Sequence, residues 1–261
     1  MQIGLLVLMF ILGACIGSFL CCQARRLHYR ESHKKSLGPR SVCMNCKKQL
    51  KWYENLPIVS WVIQGGKCRK CKAKIGLAEI LSELATAIAL TMLCTTISIE
   101  TASTLEWIIF GTTLALIISL AFSAIYDGIY GELPNFALVI SLVLAVAVFV
   151  VKNWSIWSWP IFLDTLFAIS ILGGIYLFLY LVSKGKWVGD GDWLLGVIIA
   201  TALGKPWLAL ITLFISNITA CFVMYPFVKS KSKKQIYFGP FLVIAYTITL
   251  TFSSFLESMI I

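Results

Sequence analysis

The chain has 261 residues, 59% of them hydrophobic and 13% charged, with a mean hydropathy of +0.88. An ordinary soluble domain carries about 25% charged residues, and no water-soluble core hides apolar runs of about 18 residues or more along most of a sequence. Nucleic-acid binding, the usual meaning of a net charge of +10, is also excluded, because fourteen of the 22 basic residues are confined to one segment, Arg25 to Lys74.

The rest reads as an all-α polytopic membrane protein with eight transmembrane segments. The first runs from Ile3 to Cys22, and a long basic loop follows to Ala78. The second covers Glu79 to Ser98 and the third Leu105 to Tyr126. A polar stretch from Asp127 to Pro134 separates the third from a fourth ending near Val151, and Trp154, Trp157 and Trp159 then mark an interfacial aromatic belt. The fifth spans Pro160 to Val182, and a second polar stretch runs from Ser183 to Asp192. A short sixth ends at Gly204-Lys-Pro206, the seventh near Val228, and the eighth occupies Ile236 to Phe255. The expected organisation is a first transmembrane helix (1–22), a cytoplasmic loop domain (23–78) and a seven-helix membrane core (79–261).

Basic residues near span ends orient a membrane protein with their loops inside. With the long loop inside, twenty of the 22 fall on the inner face and only Lys152 and Lys205 on the outer, with both termini outward. Leu12-Gly-Ala-Cys15 resembles a lipoprotein cleavage site. The absence of a basic n-region, and Arg25-Arg26 directly after the apolar run, argue that the first span is retained.

Of nine cysteines, Cys15, Cys21, Cys22, Cys94 and Cys221 fall within spans and read as small packing residues. The other four form two C-x-x-C pairs in the basic loop, Cys43/Cys46 and Cys68/Cys71. Each pair grips one edge of a tetrahedron, so the spacing predicts a zinc-ribbon-like site. A reducing cytoplasm disfavours the alternative of disulfides. Four thiolates leave no open position, so the zinc is expected to be structural, and its binding to supply much of the loop's folding free energy.

Ionisable residues near membrane depth are costly and tend to be functional. Six acids fall at the inner ends of spans: Glu79, Glu83, Asp127, Glu132, Asp190 and Asp192. Both histidines, His28 and His33, lie in the basic loop, which leaves a Ser-His or Cys-His nucleophile without support. Asp127 ends the third span and Asp192 begins the sixth, at the same face. Two carboxylates can hydrolyse a peptide without metal. One takes a proton from water while the other hydrogen-bonds the carbonyl oxygen, and because two close carboxylates resist double ionisation they share one proton. Gly189 and Gly191 would leave room around the acids for an extended substrate. The bland alternative is a Gly/Asp loop with no chemistry. Glu79 and Glu83 share a helix face, which a solvated helix end explains equally well, and Pro134 suits the start of the fourth helix.

Ordered blocks along the chain carry a resemblance. Gly17-Ser-Phe-Leu20 closes span one; Arg40-Ser-Val-Cys-Met-Asn-Cys46, Trp52-Tyr-Glu-Asn-Leu-Pro57, Ser60-Trp61 and Gly66-Lys-Cys-Arg-Lys-Cys71 occupy the loop; Asp127, Leu133-Pro-Asn135, Gly189-Asp-Gly-Asp192 and Phe238-Gly-Pro-Phe241 follow. With these the chain resembles the prepilin peptidase (type IV leader peptidase) family of Gly-x-Gly-Asp membrane aspartic proteases. The resemblance implies an endopeptidase of the bacterial inner membrane. It would remove, after a Gly on the cytoplasmic side, the short basic leader of prepilin or pseudopilin precursors, with Asp127 and Asp192 as the catalytic pair. It also implies N-methylation of the new terminus with S-adenosylmethionine as donor, although no glycine-rich donor signature is visible.

The chain departs from the family pattern at three places. Cys21-Cys22 stands where Asn follows Gly-Ser-Phe-Leu, which removes a polar contact; Leu194 replaces a Lys; and Asp190 replaces an apolar residue inside the motif. Asp190, Glu132 and Glu83 are expected to serve the leader's basic residues, and anionic lipid headgroups are the natural partner of the basic loop. The rival reading is a cation-coupled transporter or channel with a zinc-ribbon regulatory loop, since apolar segments broken by Gly and Asp also mark transport sites. Against it, no inverted repeat is visible and the acids gather at one face.

Overall fold

The computed structural model describes residues 2–33, 40–98, 101–186, 188–229 and 237–258. Lys34 and Lys35 of the basic loop, Glu100, Trp187 and the late basic residues Lys231, Lys233 and Lys234 lie outside the described residues. The chain forms two compact units, residues 1–91 and 92–261.

All eight apolar segments are helical. Among the described residues six are long and apolar enough to cross a bilayer, and the protein is a multi-pass membrane protein. In the first unit, α1 (Gln2–His33) is a single helix that continues eleven residues beyond the expected span end at Cys22. It packs on α3 (Leu77–Cys94) through a small-x-x-x-small face. A Cβ on Gly13 would lie 2.6 Å from the Ala87 Cα, and one on Gly17 2.6 Å from the Ser82 carbonyl oxygen, so only glycine permits this approach. Between the two helices the loop carries a 3₁₀ turn (Trp52–Glu54) and the short helix α2 (Val59–Ile63).

The second unit holds α4 (Thr104–Tyr130), α5 (Asn135–Asn153), α6 (Trp159–Ile169), α7 (Ile175–Ser183), α8 (Asp192–Leu203), α9 (Pro206–Lys229), α10 (Gly239–Thr251) and α11 (Ser253–Ser258). A capping box opens α4: the Ser103 hydroxyl accepts from the Glu106 N–H while the Glu106 carboxylate accepts from the Ser103 N–H at 2.6 Å. Gly131, in the left-handed region at φ 73°, closes it. The helix therefore outlasts the expected end at Tyr126, and Asp127 lies in its last full turn instead of in a polar loop. Pro134 holds the N-cap position of α5.

Helix α8 is apolar on every side, which is the pattern of a surrounded helix. It touches α5, α6, α7, α9 and α10, and from Ile198 to Leu203 every residue is buried. The α6–α7 pair forms one span interrupted by a π turn at Ser170–Gly174. There Gly173 meets Gly196 of α8: a Cβ on Gly196 would lie 3.0 Å from the Leu172 carbonyl oxygen and 3.2 Å from the Gly173 Cα. Hydroxyl pairs join neighbouring helices elsewhere, Ser119 with Ser141 at 2.7 Å and Thr212 with Thr249 at 3.0 Å. At 12 and 13 residues, α8 and α10 are shorter than the six long spans, because Gly204-Lys-Pro206 stops the first and a turn at Phe252 the second.

Candidate active site and metal centre

In the loop, the two C-x-x-C pairs fold into two copies of one knuckle. The Cys43 N–H donates to the Lys48 carbonyl and the Lys47 N–H to the Cys43 carbonyl, both at 2.9 Å. Cys68 with Ala73, and Lys72 with Cys68, repeat the pattern at the same distances. The residue after each second cysteine is left-handed, Lys47 at φ 53° and Lys72 at φ 58°, and a bridge closes each knuckle, Val42 to Gln49 and Lys67 to Lys74. This folding brings all four Sγ atoms within 4.8 Å of one another. Cys43 and Cys71 sulfurs are 3.8 Å apart, the edge expected of a tetrahedron with Zn–S bonds of about 2.3 Å. The donor set therefore fits a structural zinc.

Backbone N–H groups also prepare thiolates. That of Ala73 is the first influence bringing Cys71 down to about 6, and those of Cys71 and Lys70 lower Cys68. Beneath the knuckles Glu54 is buried. Its carboxylate accepts from the Lys51 N–H at 2.9 Å and from Lys48 Nζ at 2.9 Å, which hold it below the usual carboxylate range. Sequence reasoning gave Glu54 no role beyond its motif.

The loop returns to the helices through Ile58. Its φ of 60° is unusual for a β-branched residue, and its N–H donates to Glu83 Oε2 at 2.6 Å. Glu83 is buried and also hydrogen-bonds Ser18, so Gly17-Ser18 and Glu83 form one joint between α1, α3 and the loop. Glu79 pairs with Arg25 at 2.8 Å. The Cys21 thiol has hydrogen bonds with Ser82 and Arg25, so the departure from Asn there does not leave the position without polar contact.

The acid site lies wholly in the second unit. Asp127 and Asp192, 65 residues apart in sequence, are both buried, and Asp127 lies within the field of the Asp192 carboxylate. Asp192 opens α8, and its Oδ2 accepts from the Gly189 N–H at 2.9 Å. Asp127 Oδ2 accepts from the Gly239 N–H at 2.9 Å. Three turns thus converge: the end of α4, the start of α8 and the start of α10.

The protein's own atoms occupy the room that the glycines leave. A Cβ on Gly189 would lie 3.1 Å from Asp192 Oδ2, one on Gly191 2.6 Å from Leu133 Cδ1, and one on Gly239 2.8 Å from Asp127 Oδ2. Gly191 therefore lets the 131–134 turn dock on the 189–192 turn. A side chain at Gly131 would run into the Tyr237 ring. Behind the site Phe238 meets Tyr176 in a tilted ring contact, with centroids 5.2 Å apart and an interplanar angle of 56°. The Tyr176 hydroxyl accepts from Asn217 Nδ2 at 3.1 Å and lies 3.3 Å from the Ser216 hydroxyl. Asp190 and Glu132, on the same two turns, are exposed. The roles of Gly239 and Tyr176 were missed from sequence; the Gly-Pro step at 239–240 was the available signal.

Residues 11–97 match the bacterial peptidase A24 N-terminal domain. A prepilin leader peptidase/N-methyltransferase of Myxococcus xanthus is 39% identical over 82 residues, 31% of this chain and 24% of that protein. Proteins of the same name from Bacillus subtilis (29% identical; 78% of this chain, 76% of the relative) and Aeromonas hydrophila (28%; 93% and 89%) match over most of both lengths. The chain is thus similar to the prepilin peptidase family, as its motifs implied. The matched stretches nevertheless cover only about a quarter to a third of the first three curated relatives, 24%, 34% and 35%. No solved structure matches.

Proposed function

We propose that this protein is a membrane aspartic endopeptidase that removes the short basic leader from type IV prepilin-like or pseudopilin precursors after a Gly, at the cytoplasmic face of a bacterial inner membrane. The carrying observation is the buried pair Asp127 and Asp192, each tied to a glycine N–H, with Asp127 in the field of Asp192. Such a pair shares one proton. The ionised member takes a proton from the attacking water, and the protonated member hydrogen-bonds the scissile carbonyl oxygen, then returns its proton to the leaving amine as the tetrahedral intermediate collapses. The glycine N–H bonds fix the two carboxylates without adding charge. In this reading Asp190 and Glu132, exposed beside the pair, receive the leader's basic residues. Glu83 belongs to the joint that carries the loop, while Gly189 and Gly191 shape the site through packing. The basic loop faces anionic lipid headgroups.

Cys43, Cys46, Cys68 and Cys71 would hold a zinc ion that supplies folding energy to the loop and takes no part in bond cleavage. N-methylation with S-adenosylmethionine belongs to the proposal through the relatives' names alone.

Co-expression with a tagged prepilin, read by intact mass, tests the proposal. The wild type should remove the leader, and Asp127→Asn and Asp192→Asn should lower cleavage by about 10²–10⁴-fold while still reaching the membrane. Asp190→Asn combined with Glu132→Gln should keep cleavage but raise KM for a Lys-rich leader. A wild type that leaves several such precursors uncut, or that conducts cations in liposomes, would favour the transporter reading.

A further inference from the structure

The acid site occupies one end of the second unit, and a cavity of about 330 Å³ occupies the other. Helix α5 runs from Asn135 beside the acids to Lys152 at the cavity, and α8 runs from Asp192 to Leu203 there. A helix of 12 residues rises about 18 Å, against a hydrocarbon core of about 30 Å. Helix α8 therefore cannot reach both interfaces, and the cavity lies at its far end. Exposed Trp154 and Trp157 on the adjoining α5–α6 connection, with Trp159 at the start of α6, mark headgroup level.

The charges in this cavity balance. Lys152 and Lys205 supply two cations, Asp164 and Glu257 two anions. Lys205 and Glu257 already pair at 2.7 Å. Lys152, on which the Glu257 charge also acts, and Asp164 form no ion pair among the described residues. The Lys152 ammonium spends one of its three donors on the Ala202 carbonyl at 3.3 Å, at the C-terminal end of α8, where a cation is favoured. Asp164, on α6, is exposed and lines the same cavity. Phe149, Ile161 and Leu250 line the cavity with apolar surface.

We propose that this cavity binds an amine-bearing zwitterionic phospholipid of the phosphatidylethanolamine type. Lys152 takes the phosphate, Asp164 takes the ammonium, and the glycerol end and first methylenes lie on the apolar wall. An anionic lipid would satisfy Lys152 but leave Asp164 facing a negative headgroup, so charge selects the zwitterion. The site is remote from the acid pair, and the inference does not depend on the proposed proteolysis.

The test uses the purified, delipidated full chain in detergent, titrated with dioleoyl-phosphatidylethanolamine, dioleoyl-phosphatidylglycerol or soluble phosphoethanolamine, with bound lipid counted by native mass spectrometry. The ethanolamine lipid should half-saturate one site at a concentration about fivefold or more below the glycerol lipid, a difference of about 1 kcal/mol. Soluble phosphoethanolamine should fail to bind over the same range. Lys152→Met should weaken both lipids. Asp164→Asn should abolish the preference, and Asp164→Lys should reverse it, an outcome that misfolding cannot produce. Equal binding of the two lipids, or an unchanged preference in Asp164→Lys, would overturn the proposal. Binding of soluble phosphoethanolamine as tight as that of the lipid would overturn it too, in favour of a free solute.

Discussion

The cysteine loop and the acid site solve the same problem, holding acidic groups close together, by opposite means. In the loop, four sulfurs drawn from 29 residues of chain meet through two short knuckles built from local backbone bonds and left-handed lysines. At the acid site, residues 127, 192 and 239 come from three helices, and what holds them is close packing of those helices at glycines. The first arrangement is local and expected to depend on metal; the second is long-range and held by helix packing. Chemistry placed in the loop would therefore fail on chelation, whereas chemistry placed at the acids should fail on changes in helix packing.

The largest effect that separates the two is loss of the metal. Cys43→Ser with Cys46→Ser removes one knuckle, and structural zinc in such sites is worth about 10–16 kcal/mol near neutral pH. Zinc content should fall to background, and limited proteolysis should open the loop between α1 and α3 while the α4–α10 core remains resistant. In the unmutated chain, zinc retention should weaken as pH falls, because protons compete for the thiolates; a rise in retention on acidification would contradict a thiolate site.

A smaller effect belongs to the acid site. Gly239→Ala places a Cβ where it would lie 2.8 Å from Asp127 Oδ2, so the turn must shift. Misplacement on the ångström scale costs up to about 10²-fold. The expected outcome is a fall in kcat of about 10–100-fold with KM little changed and zinc content intact, measured on purified protein.

The smallest effect lies under the knuckles. Glu54→Gln removes the buried charge that Lys48 and the Lys51 N–H hold, a contribution of about 1–3 kcal/mol. Chelator competition should show weaker zinc retention. Because the Glu54 carboxyl sits below the usual range, its contribution is present above the unfolded carboxylate pKa and lost as pH falls through the lower folded value. The wild-type advantage over Glu54→Gln should therefore vanish in acid.

This contrast also explains what could be read from the sequence. The knuckles were legible because metal spacing is a short-range pattern, and the helices because apolar runs of bilayer length leave few alternatives. Asp127 and Asp192 are legible as a candidate pair through their motifs and shared face. The continuation of α4 through Asp127 was not visible, since it depends on Gly131 closing the helix one turn later than hydropathy suggests. Nor was the purpose of Gly191 and Gly239, whose partners Leu133 and Asp127 are distant in sequence. Glu83 read as a free inner-face acid because nothing local signals that Ile58, 25 residues earlier, would claim its carboxylate.

The most direct test of the account measures cleavage and zinc on the same sample: purified Asp192→Asn and wild type in lipid nanodiscs, each assayed for prepilin leader loss by intact mass and for zinc per chain. The account predicts one zinc per chain in both, with cleavage lost in Asp192→Asn alone. Cleavage by Asp192→Asn at the wild-type rate, with its zinc intact, would contradict it.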